Sequence, residues 1–478
     1  MTKIMLEIPE ELNGMVPALR AVVSTVMTQV ERGRTGGPVD YAAFQRAMVE
    51  KVGILERRAD EAALAALDVD LPQVLINRVL HTRVVRSATS FMGLAGAAQV
   101  TRSLYRLVGQ RNAPIVDPVA LRAGAVRGEW LPATAREMAF EVQQRTSREA
   151  EASGKRLGRL PYSHASFEQV AHAVGEMYVG QHEGIEHTLI EAFTVPIEAH
   201  NITVSLDRVS VPMEEPRARP VGRPPKNAPK RPISRAFRMA YCGTVTLHDQ
   251  DGDAIHTIRY GTMPEGDPQS LCMGMSDDVA AILAQRPDLK IVLLCDGAKE
   301  MWSLLDAEFT TEPFDTKKYV VRRLIDFWHA VEKLAPAAKV LVGEAAAKPL
   351  LARWKILLRN ASGARATILD ELIASGKEDV RVGKGQPVHE AITYLENNAD
   401  RMNYAAARRQ GLPIGSGSVE ATCKSLVNVR MKRPGSRWKT RTGEHVIQLR
   451  ALALSDRWDP AMDLVLKLPR VRIHPVAA

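Results

Sequence analysis

The sequence predicts a multidomain α/β protein in which a mixed-sheet domain follows a mainly helical N-terminal region. Residues 13–66 and 132–180 carry apolar residues at helical spacing, whereas three strand-like segments begin at Asn201 and are followed by alternating helices and strands. The chain has 478 residues, of which 45% are apolar and 25% charged, as in ordinary globular proteins. This length corresponds to roughly three domains, with enough core to fold without disulfides.

The N-terminal half predicts helices, then a hairpin, then more helices. Residues 80–107 alternate in polarity around two central glycines, which predicts a β-hairpin. Three helices are expected over 132–180, the last capped by Ser163. Two short helices, a turn and a third helix suggest a helix-turn-helix, and a plain helical bundle is the alternative. The third helix has few basic residues, which counts against its reading a DNA groove.

The second half predicts a sheet with two acidic residues on neighbouring strands. Asp207 lies within an apolar strand, and two further strands at 237–247 and 254–260 form a hairpin. A buried strand then ends at Asp296-Gly297, and another is expected at 318–325. This order, in which three antiparallel strands are followed by alternating helices and strands, is the ribonuclease-H-like order. Residues 336–410 read as a helical insertion, and Glu420 falls at the start of a later helix.

These patterns divide the chain into six expected segments. They are an N-terminal helical region (1–75), a β-hairpin region (76–125), a helix-turn-helix-like DNA-binding domain (126–195), a ribonuclease-H-like catalytic domain (196–335 and 411–460), a helical insertion (336–410) and a C-terminal tail (461–478).

Asp207, Asp296 and Glu420 are the candidate metal ligands. Hard divalent cations prefer oxygen ligands, and Mg²⁺ is usually held by a few carboxylates together with water and substrate phosphate. Two such ions about 4 Å apart activate an attacking hydroxyl and stabilise the leaving oxygen at a phosphodiester. A single acidic residue at a strand end is more often solvated or a cap, so spacing alone leaves both interpretations open.

Three stretches resemble bacterial insertion-sequence transposases of the ISKra type, within the DDE superfamily. Two surround Asp207 (204–209) and Asp296 (294–298), and the third, long and specific, runs from 411 to 438 around Glu420. The resemblance covers roughly residues 130–460. It implies that Asp207, Asp296 and Glu420 are the catalytic carboxylates, with Mg²⁺ as the cofactor and Mn²⁺ as a substitute.

One departure from the family concerns zinc. Many relatives follow the hairpin with a CxxC pair, but residues 107–112 here read LVGQRN. The four cysteines (Cys242, Cys272, Cys295 and Cys423) form no CxxC pair, so no zinc site is expected. A DxxH motif ends at His329, and related transposase groups carry a similar pair. His329 is therefore a candidate for contacting the scissile phosphate, and an Asp cap with a structural histidine is the alternative.

Two basic stretches predict DNA contacts. From Arg217 to Arg238 the chain has eight basic and no acidic residues, and its Gly-Arg-Pro-Pro-Lys segment resembles an AT-hook core. A solvated loop making phosphate contacts alone is an equal alternative. The second stretch follows Glu420. The candidate DNA-binding residues are Arg223, Lys226, Lys230, Arg231, Lys424, Arg430, Lys432, Arg433, Arg437 and Lys439.

The function expected from these observations is DNA transposition. The protein would bind the terminal inverted repeats of an insertion sequence, cut DNA and join it to a target, acting as a homodimer on DNA. A ribonuclease-H-fold nuclease or resolvase without strand transfer, or a non-catalytic DNA-binding descendant, is the alternative. No signal peptide and no apolar run of membrane-spanning length is present, so a bacterial cytoplasmic, nucleoid-associated protein is expected.

Overall fold

The computed structural model describes residues 7–215, 235–311, 314, 319–467 and 471–476. The chain forms two compact units, one of Met1–Gln181 with Met462–Ala478 and the other of His182–Ala461. None of the helices in the described ranges is both long enough and apolar enough to cross a membrane.

Strands and helices are numbered here in chain order. The strands are β1 (Gln73–Ile76), β2 (Val79–Gly93), β3 (Gly96–Leu107), β4 (Asn201–Glu214), β5 (Arg235–His248), β6 (Ala254–Thr262), β7 (Lys290–Cys295), β8 (Val321–Ile325) and β9 (Ile473–Pro475). The helices are α1 (Val16–Arg34), α2 (Tyr41–Ala65), α3 (Pro118–Ala123), α4 (Pro132–Gln144), α5 (Ser147–Leu157), α6 (His164–Val179), α7 (His182–Ala192), α8 (Pro268–Gln285), α9 (Lys299–Phe309), α10 (Phe327–Asn360), α11 (Ala364–Ala374), α12 (Pro387–Asn397), α13 (Tyr404–Arg409), α14 (Gly417–Thr422), α15 (Val429–Met431), α16 (Thr440–Leu454) and α17 (Trp458–Val465).

The first unit contains the predicted hairpin and the predicted helices. β2 and β3 pair antiparallel up to Gly93 and Gly96, which confirms the hairpin. The three helices expected over 132–180 are α4, α5 and α6, and the Ser163 side chain caps α6 by accepting from the backbone N–H of Ser166. A four-stranded sheet of order β3-β2-β1-β9 completes this unit.

The second unit is built on a five-stranded sheet of order β6-β5-β4-β7-β8. The first three strands pair antiparallel, and β7 and β8 run parallel to β4. This is the strand order that the sequence predicts. β8 begins at Val321, after Tyr319 and Val320, whereas the expected start at 318 lies outside the described residues.

The helices after β8 differ in length from expectation. A helix over 327–334 is predicted, whereas α10 extends to Asn360 and contains Pro336 and Pro349. Gly343 interrupts it with a φ of 77°, a left-handed value that favours glycine. With α11, α12 and α13 it accounts for the helical segment expected at 336–410.

Both faces of β4 are buried, each against different helices. Ile202, Val204 and Leu206 belong to the larger core, which also contains residues of α8, α9 and α10. Val211 and Met213 pack in a second core with residues of α14 and α16. Asp207 therefore lies on a strand that is fixed from both sides.

Candidate active site

The sheet register brings Asp207 and Asp296 to equivalent positions on neighbouring strands. β4 and β7 pair in parallel from Asn201 opposite Lys290 to Val204 opposite Leu293. Continued to the residue that directly follows β7, the same offset sets Asp296 beside Asp207. The Cys295 thiol donates to the backbone carbonyl of Leu206 at 3.3 Å, so the two strands remain adjacent immediately before the carboxylates.

The Asp207 carboxylate is partly buried and close to a second negative charge. Burial raises its pKa above the ordinary value, and the nearby Asp296 charge adds to the increase. Two donors act in the opposite direction: the backbone N–H of Arg208 at 2.7 Å from Oδ1, and the Cys423 thiol at 3.5 Å from Oδ2. Two facing carboxylates of this kind favour a bound cation between them.

Asp296 is held by the turn that follows β7. Its Oδ1 accepts the backbone N–H of Ala298 at 2.9 Å, and its backbone carbonyl accepts the Trp302 indole N–H at 2.8 Å. Gly297 allows Tyr394 to approach, because a Cβ at this position would lie 2.7 Å from ring carbon Cε2. The turn that aims Asp296 is thus packed directly against α12.

Tyr394 brings a polar group from the helical insertion to the site. Burial raises the pKa of its hydroxyl, and the charges of Asp296 and Asp326 raise it further. The hydroxyl oxygen is buried and makes no hydrogen bond with the described residues. Tyr394 also lines a cavity of about 600 Å³ together with Gly297, Trp302 and Arg401.

Glu420 lies near the DxxH motif. Among the described residues, one trio of ligand-type side chains has its ligand atoms within 4.8 Å of one another, namely Asp326, His329 and Glu420. Asp207, Asp296 and Glu420 are therefore not as tightly grouped as that trio. Glu420 is exposed, on the short helix α14, whose Val419 and Thr422 are buried. A π-helical turn, Cys423–Asn428, follows directly, and such turns are frequent at functional sites.

Asp326 is completely buried at the N-terminus of α10. Its Oδ1 accepts the backbone N–H of His329 at 2.7 Å, and its Oδ2 accepts the backbone N–H of Ser416. Burial acts to raise the pKa of Asp326, but the hydrogen bonds from His329 and Ser416 outweigh it, so the pKa is lowered. Asp326 is therefore a helix cap that also connects β8 to the loop before Glu420.

The surroundings of His329 favour its protonated form. Its Nδ1 lies 3.4 Å from Asp326 Oδ1, and this carboxylate raises the pKa of His329 to about 9 although burial opposes the shift. Asp296 contributes to the increase. His329 in its protonated form thus places a positive charge beside the carboxylates.

The predicted DNA-binding residues fall into two groups. Arg223, Lys226, Lys230 and Arg231 lie outside the described residues. In the second stretch Lys424, Arg437 and Lys439 are exposed, and Lys432 and Arg433 are half-buried.

The candidate DNA-binding residue Arg430 is buried in the structure. Its guanidinium lies over the Trp438 ring, 4.9 Å from the ring centre. This cation–π contact stabilises the packing of the loop after α15 and leaves little of the group to meet DNA. Arg238, at the end of the first basic stretch, pairs with Glu215 and Glu265.

The sequence analysis missed Tyr394 and did not foresee the contact that Asp326 makes. Tyr394 lies about a hundred residues from Asp296 in the sequence, and no motif marks it. The available signal is Gly297, a glycine directly after the strand-end carboxylate. Asp326 is recognisable from the sequence as a helix cap, but its contact with Ser416 requires the fold.

Comparison with known proteins gives few matches. No protein-family model matches the chain, and no curated protein matches it. Among solved structures, the chain is similar to the Mos1 transposase paired-end complex with left transposon end. The identity is 12%, the match covers 59% of this chain and 79% of that chain, and the TM-score is 0.15. A TM-score this low does not establish a shared fold.

Proposed function

We propose that the protein is a DDE-type DNA transposase of the ISKra type, which cuts DNA at the ends of an insertion sequence and joins those ends to target DNA. The observation that carries this proposal is that the neighbouring parallel strands β4 and β7 bring the carboxylates of Asp207 and Asp296 close enough to interact, while Glu420 lies beside Asp326 and His329. The three residues also lie in the stretches that resemble the family's catalytic motifs.

The donor set fits Mg²⁺, with Mn²⁺ as a substitute, and no zinc is expected. Asp207 and Asp296 each accept a backbone N–H on Oδ1, which leaves lone pairs on both carboxylates for a cation. Asp326 fits less well, since it is completely buried and both of its oxygens accept backbone N–H groups. We therefore assign the metal to Asp207, Asp296 and Glu420, and a positioning role to Asp326.

Each residue then has a distinct task. Bound Mg²⁺ would activate the attacking oxygen and stabilise the leaving oxygen at the phosphodiester. Asp207, on its doubly packed strand, and Asp296, in its hydrogen-bonded turn, hold their carboxylates in place for this. His329, which lies near Glu420, would in its protonated form contact the negatively charged scissile phosphate.

The partners that follow from this proposal are transposon-end DNA and target DNA. Lys424, Lys432, Arg433, Arg437 and Lys439 follow the catalytic Glu420 directly and supply cations beside the scissile strand. Transposition acts on two DNA ends, and one set of carboxylates serves one scissile phosphate at a time. A homodimer bound to paired ends supplies two sets of carboxylates. The proposed location is the nucleoid in the bacterial cytoplasm.

The test is cleavage and strand transfer with the element's own ends. Asp207→Asn, Asp296→Asn and Glu420→Gln should each abolish cleavage in Mg²⁺ while end binding stays largely intact, because an amide keeps the shape but loses the charge that holds the cation. Asp400→Asn, at an exposed site, is the matched control. A variant that cleaves at nearly the wild-type rate excludes that residue as a ligand.

The products separate the proposed function from a nuclease of the same fold. Joining of the cut end to a target strand supports a transposase, whereas cleavage without joining indicates a nuclease or resolvase. Binding of ends without cleavage by the wild-type protein in either Mg²⁺ or Mn²⁺ would point to a non-catalytic DNA-binding protein.

A further inference from the structure

Helix α1 exposes a continuous apolar stripe. Leu19, Val23, Val26, Met27 and Val30 are each between 37% and 49% exposed, and Leu12, just before the helix, is 37% exposed. Single exposed apolar side chains are normal on a protein surface, but a row of them along one helix marks an interaction site.

The stripe is distinct from the side of α1 that is shielded within the chain. α1 packs against α2. Besides Val16 at its start, the more shielded residues of α1 are Ala18, Ala21, Val22, Thr25 and Gln29. At 3.6 residues per turn these five share one side of the helix, and the exposed apolar residues lie about a third of a turn away. The helix therefore has one side packed on α2 and another that the chain itself leaves open.

The spacing of the stripe fits a helical partner. Leu12, Val16, Leu19, Val23, Val26 and Val30 recur at alternating steps of four and three residues. This 3.5-residue average period is the coiled-coil pattern, in which such positions face a second helix along their whole length. No charged residue occupies any of these positions.

The stripe is also complementary to itself when a second copy runs in the opposite direction. A two-fold axis near residue 21 brings Leu12 opposite Val30, Val16 opposite Val26, and Leu19 opposite Val23 of the second copy, so every layer is apolar. A two-fold interface requires this kind of self-complementarity.

The charges at the two ends of the helix favour the same arrangement. The turn before α1 begins with Glu10 and Glu11, whereas the last turn of α1 carries Arg32 and Arg34 beside Glu31. In an antiparallel pair the acidic end of one copy meets the basic end of the other. A parallel pair would instead place the four glutamates of the two N-terminal ends together.

We propose that this stripe is a homodimer interface, in which α1 packs antiparallel against α1 of a second copy of the chain. The interface forms without DNA and does not involve the carboxylates of the candidate active site. It can therefore be tested whether or not the protein proves to be a transposase.

The first test is the mass of the full-length protein in solution, measured by sedimentation or light scattering at micromolar concentration. Wild-type protein should be a dimer, and Val23→Glu with Val26→Glu should be a monomer with an unchanged circular dichroism spectrum. Ser24→Glu with Thr28→Glu, on exposed positions outside the stripe, is the matched control and should remain a dimer. A monomeric wild-type protein, or a dimer that survives the stripe substitutions, overturns the proposal.

Two further experiments test the direction of the helices. Reversing the charge of Glu10 and Glu11 to Arg should weaken the dimer, and adding Arg32→Glu with Arg34→Glu on the same chain should restore it. In addition, Leu12→Cys combined with Val30→Cys should form an intermolecular disulfide under mild oxidation. The four native cysteines are buried and should not compete. Cross-linking by Leu12→Cys alone would indicate parallel helices and refute the antiparallel pairing.

Discussion

Replacing Gly297 with alanine adds one methyl group between the catalytic turn and the helical insertion. The new Cβ would lie 2.7 Å from Tyr394 Cε2 and 3.3 Å from Cζ and the hydroxyl oxygen. To restore an ordinary contact, the ring or the turn must move by roughly 0.7 Å. Overpacking of this kind costs about 1–3 kcal/mol of folding free energy.

The effect on catalysis should exceed the effect on stability. Gly297 follows Asp296 directly, and a misplacement of about 1 Å at a catalytic centre can reduce the rate about 100-fold. We therefore expect Gly297→Ala to fold, to bind transposon ends, and to cleave them about 10- to 100-fold more slowly. The measurements are denaturant unfolding and single-turnover cleavage.

Two further variants serve as a control and as a rescue test for this prediction. Gly274→Ala, in α8 with nothing within 4 Å of the new Cβ, should leave cleavage unchanged and stabilise the helix by about 0.8–1 kcal/mol. Tyr394→Leu removes the ring that the methyl group meets, so it should recover part of the activity of Gly297→Ala. If Gly297→Ala cleaves as fast as wild type, Tyr394 does not constrain the catalytic turn.

Three further predictions concern charges. Replacing both Arg223 and Lys226 with Ala should reduce the slope of log DNA affinity against log salt concentration by about 1.8, because each DNA phosphate that loses its cation lowers the slope by about 0.9. An unchanged slope would mean that the two residues do not touch DNA. Burial lowers the pKa of His248 below 6.5, so below that pH the unfolded state binds more protons and stability falls. His248→Asn should therefore cost less stability at about pH 5.5 than at about pH 8, as measured by urea unfolding at the two pH values. Asp326→Asn should lower the free energy of unfolding by about 2 kcal/mol, because the amide NH₂ is a donor and cannot accept a hydrogen bond from a backbone N–H group. An unchanged urea midpoint would argue against a positioning role.

The parts that sequence predicts well are those set by local patterns. Alternation and apolar runs predict the strands around Asp207 and Asp296, and the sheet order follows from the sequence of elements. These signals are strong because a strand buried on both faces permits few polar residues, so a carboxylate at its end stands out.

The contacts made by single side chains across long sequence separations are not predictable in this way. Tyr394 of α12 packs against the turn that follows β7, and Arg430, which the sequence gives as a DNA-binding candidate, is buried against the Trp438 ring. Both depend on how helices pack, and helical periodicity indicates which face is apolar but not which partner that face meets.

Asp326 holds together the two ends of the helical insertion. About 90 residues separate Asp326 from Ser416, yet Glu420 must return to the end of the sheet. The entropy cost of closing a loop grows only slowly with its length, so a long insertion is tolerated if its two ends are held together. Here the backbone N–H of Asp326 donates to the carbonyl of Cys295 at 2.7 Å, and that of Phe327 donates to Ile414 at 2.9 Å. The Asp326 carboxylate adds the bond to Ser416. The buried aspartate thus joins the strand that precedes Asp296 to the loop that precedes Glu420.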